Sequence, residues 1–315
     1  MNYYLKKQIA DLIGIRCDTF KKNIQKGLYS HLIGPIKRDE KGRRLFTQEQ
    51  LNKLLEWYKG NDVKLRCISM GGGIQSTSML LMHFQKQWDP QPDCAMFIDL
   101  DWESQSTYEN LKRLEELCRI KGFPFYWIKG HKIHKDLLNA AKDPNFIIKS
   151  PPFFLRNKQG SKGQLTRQCT AHYKIKFMET KLRELFHVPT GKRMRYRVEV
   201  WIGITTDEVR RINNNLSSSW LIKRFPLIEK NFSRQDCINW LMKYNYPIPP
   251  KSACLGCPYR PNTDWLEMKK KRPGEWQSVV EVDRAIRSGI NKVRVPLYIH
   301  QSLQPLESIK FEGPL

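Results

Sequence analysis

Acidic residues are scarce in this chain. Only 31 aspartates and glutamates stand against 55 lysines and arginines, for a formal net charge of +24. Solubility does not require such one-sidedness. The imbalance points to a polyanionic partner, with nucleic acid the commonest kind. Long hydrophobic runs are missing too: no stretch approaches the roughly 20 apolar residues that a membrane-spanning helix needs. The opening MNYYLKKQIADLIG mixes charge into its apolar pattern and has no small-residue cleavage site, so neither a membrane span nor a secretory leader is expected. A soluble, cytoplasmic protein follows as the expectation. Internal repeats and low-complexity tracts are also absent, and 40% hydrophobic residues are enough for a sizeable core.

The basic residues are not gathered in a tail. They are dense from Lys149 to Arg197, through RNKQGSKGQLTRQ and GKRMRYR, with Phe153, Phe154, Tyr173 and Tyr196 among them. Basic residues interleaved with aromatics suit a groove that tracks a nucleic-acid backbone and stacks its bases.

Eight cysteines in a chain expected to be intracellular argue against a disulfide framework. Cys17, Cys67, Cys94, Cys118 and Cys237 lie in apolar or helical contexts and read as small core residues. Cys254-Leu-Gly-Cys257 is different. Two thiolates three positions apart converge on one metal across a tight turn, which Gly256 and Pro258 favour. A further ligand must come from elsewhere in the chain. Cys169-x-x-His172 joined to this pair has ordinary zinc spacing and would make a closed structural Cys₃His site.

Three segments are expected. Residues 1–60 alternate short helices with a two-stranded wing that turns near Glu40–Gly42. LKKQIADLIGI has helical periodicity through Leu5, Ile9, Leu12 and Ile13, and CDTFKKNIQKGLY makes a second helix with Asp18 as N-cap. TQEQLNKLLEWY makes a third, with Thr47 and Gln50 in capping-box spacing. This order resembles the winged helix-turn-helix heads of MerR-like and excisionase-like proteins. Lys21, Lys22 and Lys26 on the second helix would then face DNA; the alternative is a packing or dimerisation module. KGND, residues 59–62, reads as a linker.

From Val63 to about residue 250, short apolar β runs alternate with amphipathic helices. Strands are expected at VKLRCISM, CAMFIDL, FPFYWIK and YRVEVWIGI, and helices at 75–87, 104–121, 170–186 and 233–244, the last with Ser233 as N-cap and Trp240 in the core. That pattern predicts a doubly wound, mostly parallel sheet. Residues 251–315 read as a cysteine-bearing C-terminal extension.

Between the first of these strands and its helix lies MGGGIQSTS. A glycine turn opening a helix places backbone N–H groups around an anion, and Gly71, Gly72 and Gly73 permit positive φ and close approach to a phosphate. Ser76 and Thr77 would add hydroxyl donors. The stretch is neither a Walker A loop, since the lysine is missing, nor G-x-G-x-x-G.

It does resemble the PP-loop S-G-G-x-D-S of the ATP pyrophosphatase and phosphoadenosine-phosphosulfate (PAPS) reductase superfamily. Gly71 stands in place of the serine and Gln75 in place of the aspartate. FIDLDWES is similar to that family's D-T-G-x-E, keeping Asp99 and Glu103 but with Leu100 and Asp101 departing. TRQCTAHYKIKFM resembles the R-x-C-T-x-x-Y-K-I segment of PAPS-reductase-like proteins, many of them phage-encoded. WIGITTDEVRR resembles I-G-I-x-x-D-E-x-x-R, and PPKSACLGCPYRPNTDW resembles S-x-C-x-x-C-P followed by Trp.

The resemblance implies an adenine nucleotide, ATP or a relative, bound by Ser69, Gly71, Gly72, Gly73, Gln75, Ser76, Thr77, Asp99, Glu103, Arg167, Lys174 and Arg211. It implies a catalytic set of Cys169, Cys254, Cys257 and Asp99. It also implies a 4Fe–4S cluster on the three cysteines, with one iron open to a sulfide or a substrate sulfur; zinc is the alternative. Gln75 removes the carboxylate that would assist Mg²⁺-dependent cleavage. Arg210 could join Arg211 in neutralising phosphates, unless Asp207 and Glu208 pair with them.

The activity this implies is nucleotide-dependent sulfur transfer to DNA or RNA, with a sulfur-donor or electron-donor protein as a further partner. Two other readings stay open. One is a small-molecule sulfonucleotide reductase, which Gln75 favours but the missing E-C-G-L-H motif does not. The other is a helix-turn-helix regulator whose larger domain only senses a nucleotide.

Overall fold

The computed structural model describes residues 3–13, 17–25, 33–58, 63–157, 159–194, 196–212, 218, 220–291, 293 and 295–311. Strand β1 (Tyr3–Leu5), helices α1 (Lys6–Leu12) and α2 (Cys17–Gln25), strands β2 (Lys37–Arg38) and β3 (Arg44–Thr47) and helix α3 (Gln48–Tyr58) come first, the strands pairing antiparallel in the order β1-β3-β2. The expected capping box closes α3: the Gln50 amide donates to Thr47 Oγ1 at 3.2 Å, and the Thr47 N–H donates to Gln50 Oε1 at 3.0 Å. Asp18 lies in the first turn of α2 rather than before it. Lys21 and Lys22 are exposed on that helix, whereas Lys26 and the 59–62 linker lie outside the described residues.

Next come β4 (Val63–Met70), α4 (Ile74–Phe84), β5 (Cys94–Asp99), α5 (Gln105–Ile120), β6 (Phe125–Lys129), α6 (Ile133–Lys142) and a β7–β8 hairpin (Phe154–Arg156 and Lys162–Gln164). A π-helical turn, Thr170–Ile175, leads into α7 (Lys176–Leu185). There follow β9 (Arg197–Ile202), a 3₁₀ turn (Thr206–Arg211), β10 (Leu221–Arg224), α8 (Pro226–Glu229), α9 (Arg234–Lys243), α10 (Asn262–Lys271) and α11 (Pro273–Ala285).

The protein is thus α/β, with a five-stranded parallel sheet in the order β10-β9-β4-β5-β6. The apolar run of β5 and the continuous burial of β9, whose Glu199 is paired with Arg224, suit parallel strands covered on both faces. Position 170–186, expected as one α-helix, is a π turn followed by α7. The hairpin, α6, β10, α10 and α11 are additions to what the sequence pattern announces.

The chain divides into two compact units. The first comprises Met1–Phe97, Glu109–Tyr126 and Arg183–Lys251. In it Cys67 of β4 pairs with Cys94 of β5 on one side and Val200 of β9 on the other. The chain therefore builds outward from β4 in both directions, and the strand order reverses between β4 and β9. In open α/β sheets ligands bind at such a switch point, outside the carboxyl ends of the strands. Tyr4, Ile9, Leu12, Phe20, Phe46, Leu51 and Leu54 share one core with Ile204, Ile212, Phe225 and Ile228.

The second unit comprises Ile98–Tyr108, Trp127–Leu182 and Ser252–Leu315. Trp265, Met268, Val279, Val282, Ile286, Leu297 and Ile299 are buried in it. No helix among the described residues is long and apolar enough to cross a membrane.

Candidate functional site

In the first unit, Gly71, Gly72 and Gly73 link the end of β4 to α4 at the switch point. Only Gly72 of the three takes positive φ, at +77°; Gly73 is the extended N-cap of α4. Asn110 holds the turn from α5, donating to the Gly72 carbonyl at 2.9 Å and to Thr77 Oγ1 at 3.3 Å. Ser76 Oγ donates to the Gly73 carbonyl at 3.3 Å and accepts the Gly71 N–H at 3.2 Å. Both hydroxyls expected to serve as donors to a ligand are therefore part of the turn itself.

The first turn of α4 carries no acidic residue of its own. Gln75 is pinned instead. Its Nε2 donates to Glu208 Oε2 at 3.1 Å, and its Oε1 accepts from Arg234 at 3.4 Å. Glu208 in turn pairs with Arg211 at 2.5 Å, and Asp207 accepts the Arg234 backbone N–H at 3.0 Å. A carboxylate thus stands beside position 75, supplied by the 3₁₀ turn. Gly203, just beyond β9, lies against this turn: a Cβ there would sit 3.0 Å from the Ser76 nitrogen. Ser69 is half-buried in β4, and Arg210 is exposed.

In the second unit, Asp99 at the end of β5 accepts from Tyr108 at 2.8 Å, Trp127 Nε1 at 3.0 Å and the Asp101 N–H at 2.8 Å. Burial and the Asp99 carboxylate push the Tyr108 hydroxyl well above its ordinary pKa. Glu103, 4% exposed, anchors the cysteine pocket. Its Oε1 faces Lys174 Nζ at 3.5 Å and accepts from Cys254 Sγ at 3.6 Å, while its Oε2 is buried without a hydrogen-bond partner. Lys174 comes from the π turn that Cys169 caps. Turns closed by i→i+5 bonds concentrate at functional sites, and this one leaves Cys169, five positions away, close enough to act on the Lys174 charge.

The thiols and charges perturb one another. Burial pushes Cys254 well above the ordinary thiol range, Glu103 adds to that, and Lys174 opposes it. Burial also raises Cys257, against the Tyr259 backbone N–H and the Arg167 guanidinium. A charge on Cys169 would raise both. Burial acts to lower Lys174, but Glu103, Cys254 and Cys169 outweigh it and its pKa rises. At neutral pH Cys254 and Cys257 are therefore thiols, and a bound metal would have to displace their protons.

No family model and no curated protein matches the sequence. Among solved structures, the chain aligns with a U34-tRNA thiolase, NcsA from Methanococcus maripaludis, whose structure holds its 4Fe–4S cluster. Identity is 10%, over 79% of this chain and 84% of that one, with a TM-score of 0.35. So distant a likeness carries no argument about activity.

Among the described residues, no group of three or more His, Cys, Asp or Glu side chains is arranged to hold a metal ion. This applies equally to the Cys₃ and the Cys₃His sets. Cys169, Cys254 and Cys257 nonetheless act electrostatically on one another, and Cys254 donates to the buried Glu103, whose other carboxylate oxygen has no hydrogen-bond partner. His172 stacks parallel on His131 with ring centroids 6.1 Å apart.

The aromatic platform differs from expectation. Phe153, Phe154 and Tyr173 are buried, at 0%, 9% and 1% exposure, because the hairpin and the π turn press them into the core; Tyr196 stays exposed but stacks on Phe186. Cys67, Cys94, Cys118 and Cys237 are core residues as expected, whereas Cys17 is half-buried. Ser233 caps α9, and Trp240 is buried.

Arg260 has no motif to announce it, yet it holds the Cys254–Cys257 loop. Buried at 7% exposure, it donates to the carbonyls of Leu255 at 3.3 Å, Ala253 at 3.1 Å and Cys254 at 3.1 Å. Arg260→Met should cost about 2–4 kcal/mol, since one buried and two half-buried acceptors lose a charged donor. Thermal unfolding together with the rate of thiol labelling at Cys254 measures this, and unchanged values for both would refute the role.

Proposed function

We propose that the protein is a nucleotide-dependent sulfur-transfer enzyme acting on nucleic acid, of the kind its PP-loop and PAPS-reductase-like motifs resemble. What supports the reading is that Cys169 and Cys257 both act electrostatically on Cys254, whose thiol donates to the buried Glu103 that faces Lys174.

In this reading an adenine nucleotide lies on the glycine turn. Ser69, Gly71, Gly72, Gly73, Gln75, Ser76 and Thr77 shape its phosphate cradle, and Arg211 offsets charge nearby. Glu208 supplies the carboxylate that Gln75 lacks, so Mg²⁺ assistance, if used, would depend on it. Asp99 acts through Tyr108 and Trp127, which it holds in place.

Cys169, Cys254 and Cys257 would hold a 4Fe–4S cluster, which would supply an iron able to carry sulfur; zinc on the same donors would be structural. Arg167 and Lys174 balance the negative charge of the thiolates. The N-terminal segment, read as a winged helix-turn-helix head, would present Lys21 and Lys22 to DNA. The excess of positive charge supports a nucleic-acid substrate over a small one.

Anaerobic purification followed by iron, sulfide and zinc quantification tests the centre. Near four irons per chain are expected, with His172→Ala leaving iron unchanged. Zinc that is lost in His172→Ala would show the structural alternative, and metal-free protein without visible absorbance would defeat both. Labelled sulfur that never enters nucleic acid in expressing cells would remove the transfer step. The carboxamide at position 75 favours one rival, a sulfonucleotide reductase, which sulfite release from PAPS with thioredoxin would reveal.

A further inference from the structure

Tyr259 lies within PPKSACLGCPYRPNTDW but follows the last defined position of S-x-C-x-x-C-P. It is 53% exposed, the most exposed aromatic side chain among the described residues. It follows Cys257 by two positions, and its backbone N–H acts to lower the Cys257 pKa. The ring is carried just beyond the loop whose carbonyls Arg260 bonds and whose Leu255 N–H donates to the Trp102 carbonyl. The Arg167 guanidinium lies over this ring, 5.7 Å from its centroid, and makes no ion pair among the described residues. Arg167 also acts electrostatically on Cys257. A solvent-facing ring, an arginine not committed to a carboxylate and the Cys257 sulfur thus lie near one another within the second unit.

Aromatic faces joined to arginine suit bases that have left a duplex, because every base offers a π-face and every linkage a phosphate. The chain's net charge of +24 makes a polyanion the complementary occupant. We propose that Tyr259 and Arg167 form a clamp for one unpaired base of a single-stranded nucleic acid, the base stacking on the ring and the guanidinium meeting the adjoining phosphate, which places that base beside Cys257. This rests on the proposed nucleic-acid function and adds to it the form of the substrate: an unstacked base.

Equilibrium binding of labelled oligo-U and oligo-dT, each about 12 nucleotides long to span a typical single-strand site, tests the clamp in the full-length chain. Tyr259→Ala should weaken both ligands by about 5- to 100-fold, as loss of one stacked base does, while Tyr259→Phe keeps binding. Arg167→Ala should weaken binding and also flatten the dependence of log affinity on log salt by about 0.7, one phosphate contact on a single strand. Tyr259 is exposed, so unfolding temperatures should not move. Wild-type affinity in Tyr259→Ala would overturn the clamp, as would equal binding of a duplex of the same length, or displacement of the oligomer by AMP or polyglutamate at comparable concentration. If the unaltered chain bound no oligonucleotide even at low salt, the broader nucleic-acid reading would fall as well.

Discussion

Gly256→Ala should collapse the cysteine pocket. A Cβ at this position would lie 2.2 Å from Trp102 Cη2 and 2.7 Å from Cζ3, far inside van der Waals contact. The indole has little room to retreat. It is 4% exposed, its Nε1 donates to Ser278 Oγ at 2.8 Å, and its own carbonyl accepts the Leu255 N–H at 2.9 Å. The loop must therefore move away from Trp102, carrying Cys254 and Cys257 with it. Overpacking of this kind costs about 1–3 kcal/mol and occasionally more. Thermal unfolding should show that loss, and bound metal should fall with it if the pocket is a metal centre. Trp102→Phe in the same chain should restore part of the loss, because the two positions touch and their effects are not additive. An alanine variant as stable as the parent, with the same thiol reactivity, would show that the packing described here does not hold the loop.

Asp11→Asn should stabilise the protein at neutral pH and leave it unchanged in mild acid. Asp11 lies in α1 at 1% exposure, with neither carboxylate oxygen hydrogen-bonded. Burial pushes its pKa up to about 6, against the pull of Lys7 and Lys223. A carboxyl with a raised folded pKa binds its proton more tightly in the folded state. Folding stability is therefore greatest below the unfolded pKa near 4, declines as pH rises from about 4 to about 6, and stays low above that.

Two pKa units correspond to about 3 kcal/mol; allowing for residual screening, on the order of 2 kcal/mol is expected. Asparagine carries no charge at any pH, so the variant should lack this decline, with the gap to the parent opening between pH 4 and 6. Denaturant unfolding across that range measures it. Parallel curves would mean that Asp11 is better solvated or paired than its surroundings indicate.

Much of the parallel sheet was legible because each strand is a short apolar run with glycine or proline punctuation, and the helices between them keep their apolar period. The π turn was not, since a six-residue widening leaves the period of HYKIKFMETKL nearly intact. The hairpin was hidden for another reason: RNKQGSKGQ reads as a solvated basic loop, yet Phe154 pairs with Gln164 and Arg156 with Lys162 across it. Cys169, Cys254 and Cys257 were legible as candidates through their motifs. Arg260 and Tyr259 were not, because an arginine bonded to carbonyls and a tyrosine left in solvent carry no spacing signal.

The amino-acid order alone determined the α/β class, the excess of positive charge, the glycine turn before a helix and the pairing of two cysteines across a tight turn. These are local properties, set by composition, periodicity and spacing along the chain. Tertiary structure decided the rest: that Glu208 stands beside Gln75, that Glu103 faces Cys254 and Lys174, that Asp11 is enclosed, and which aromatics reach solvent. Such facts depend on which distant segments come together to bury apolar surface, and no local pattern encodes the neighbours that packing will supply.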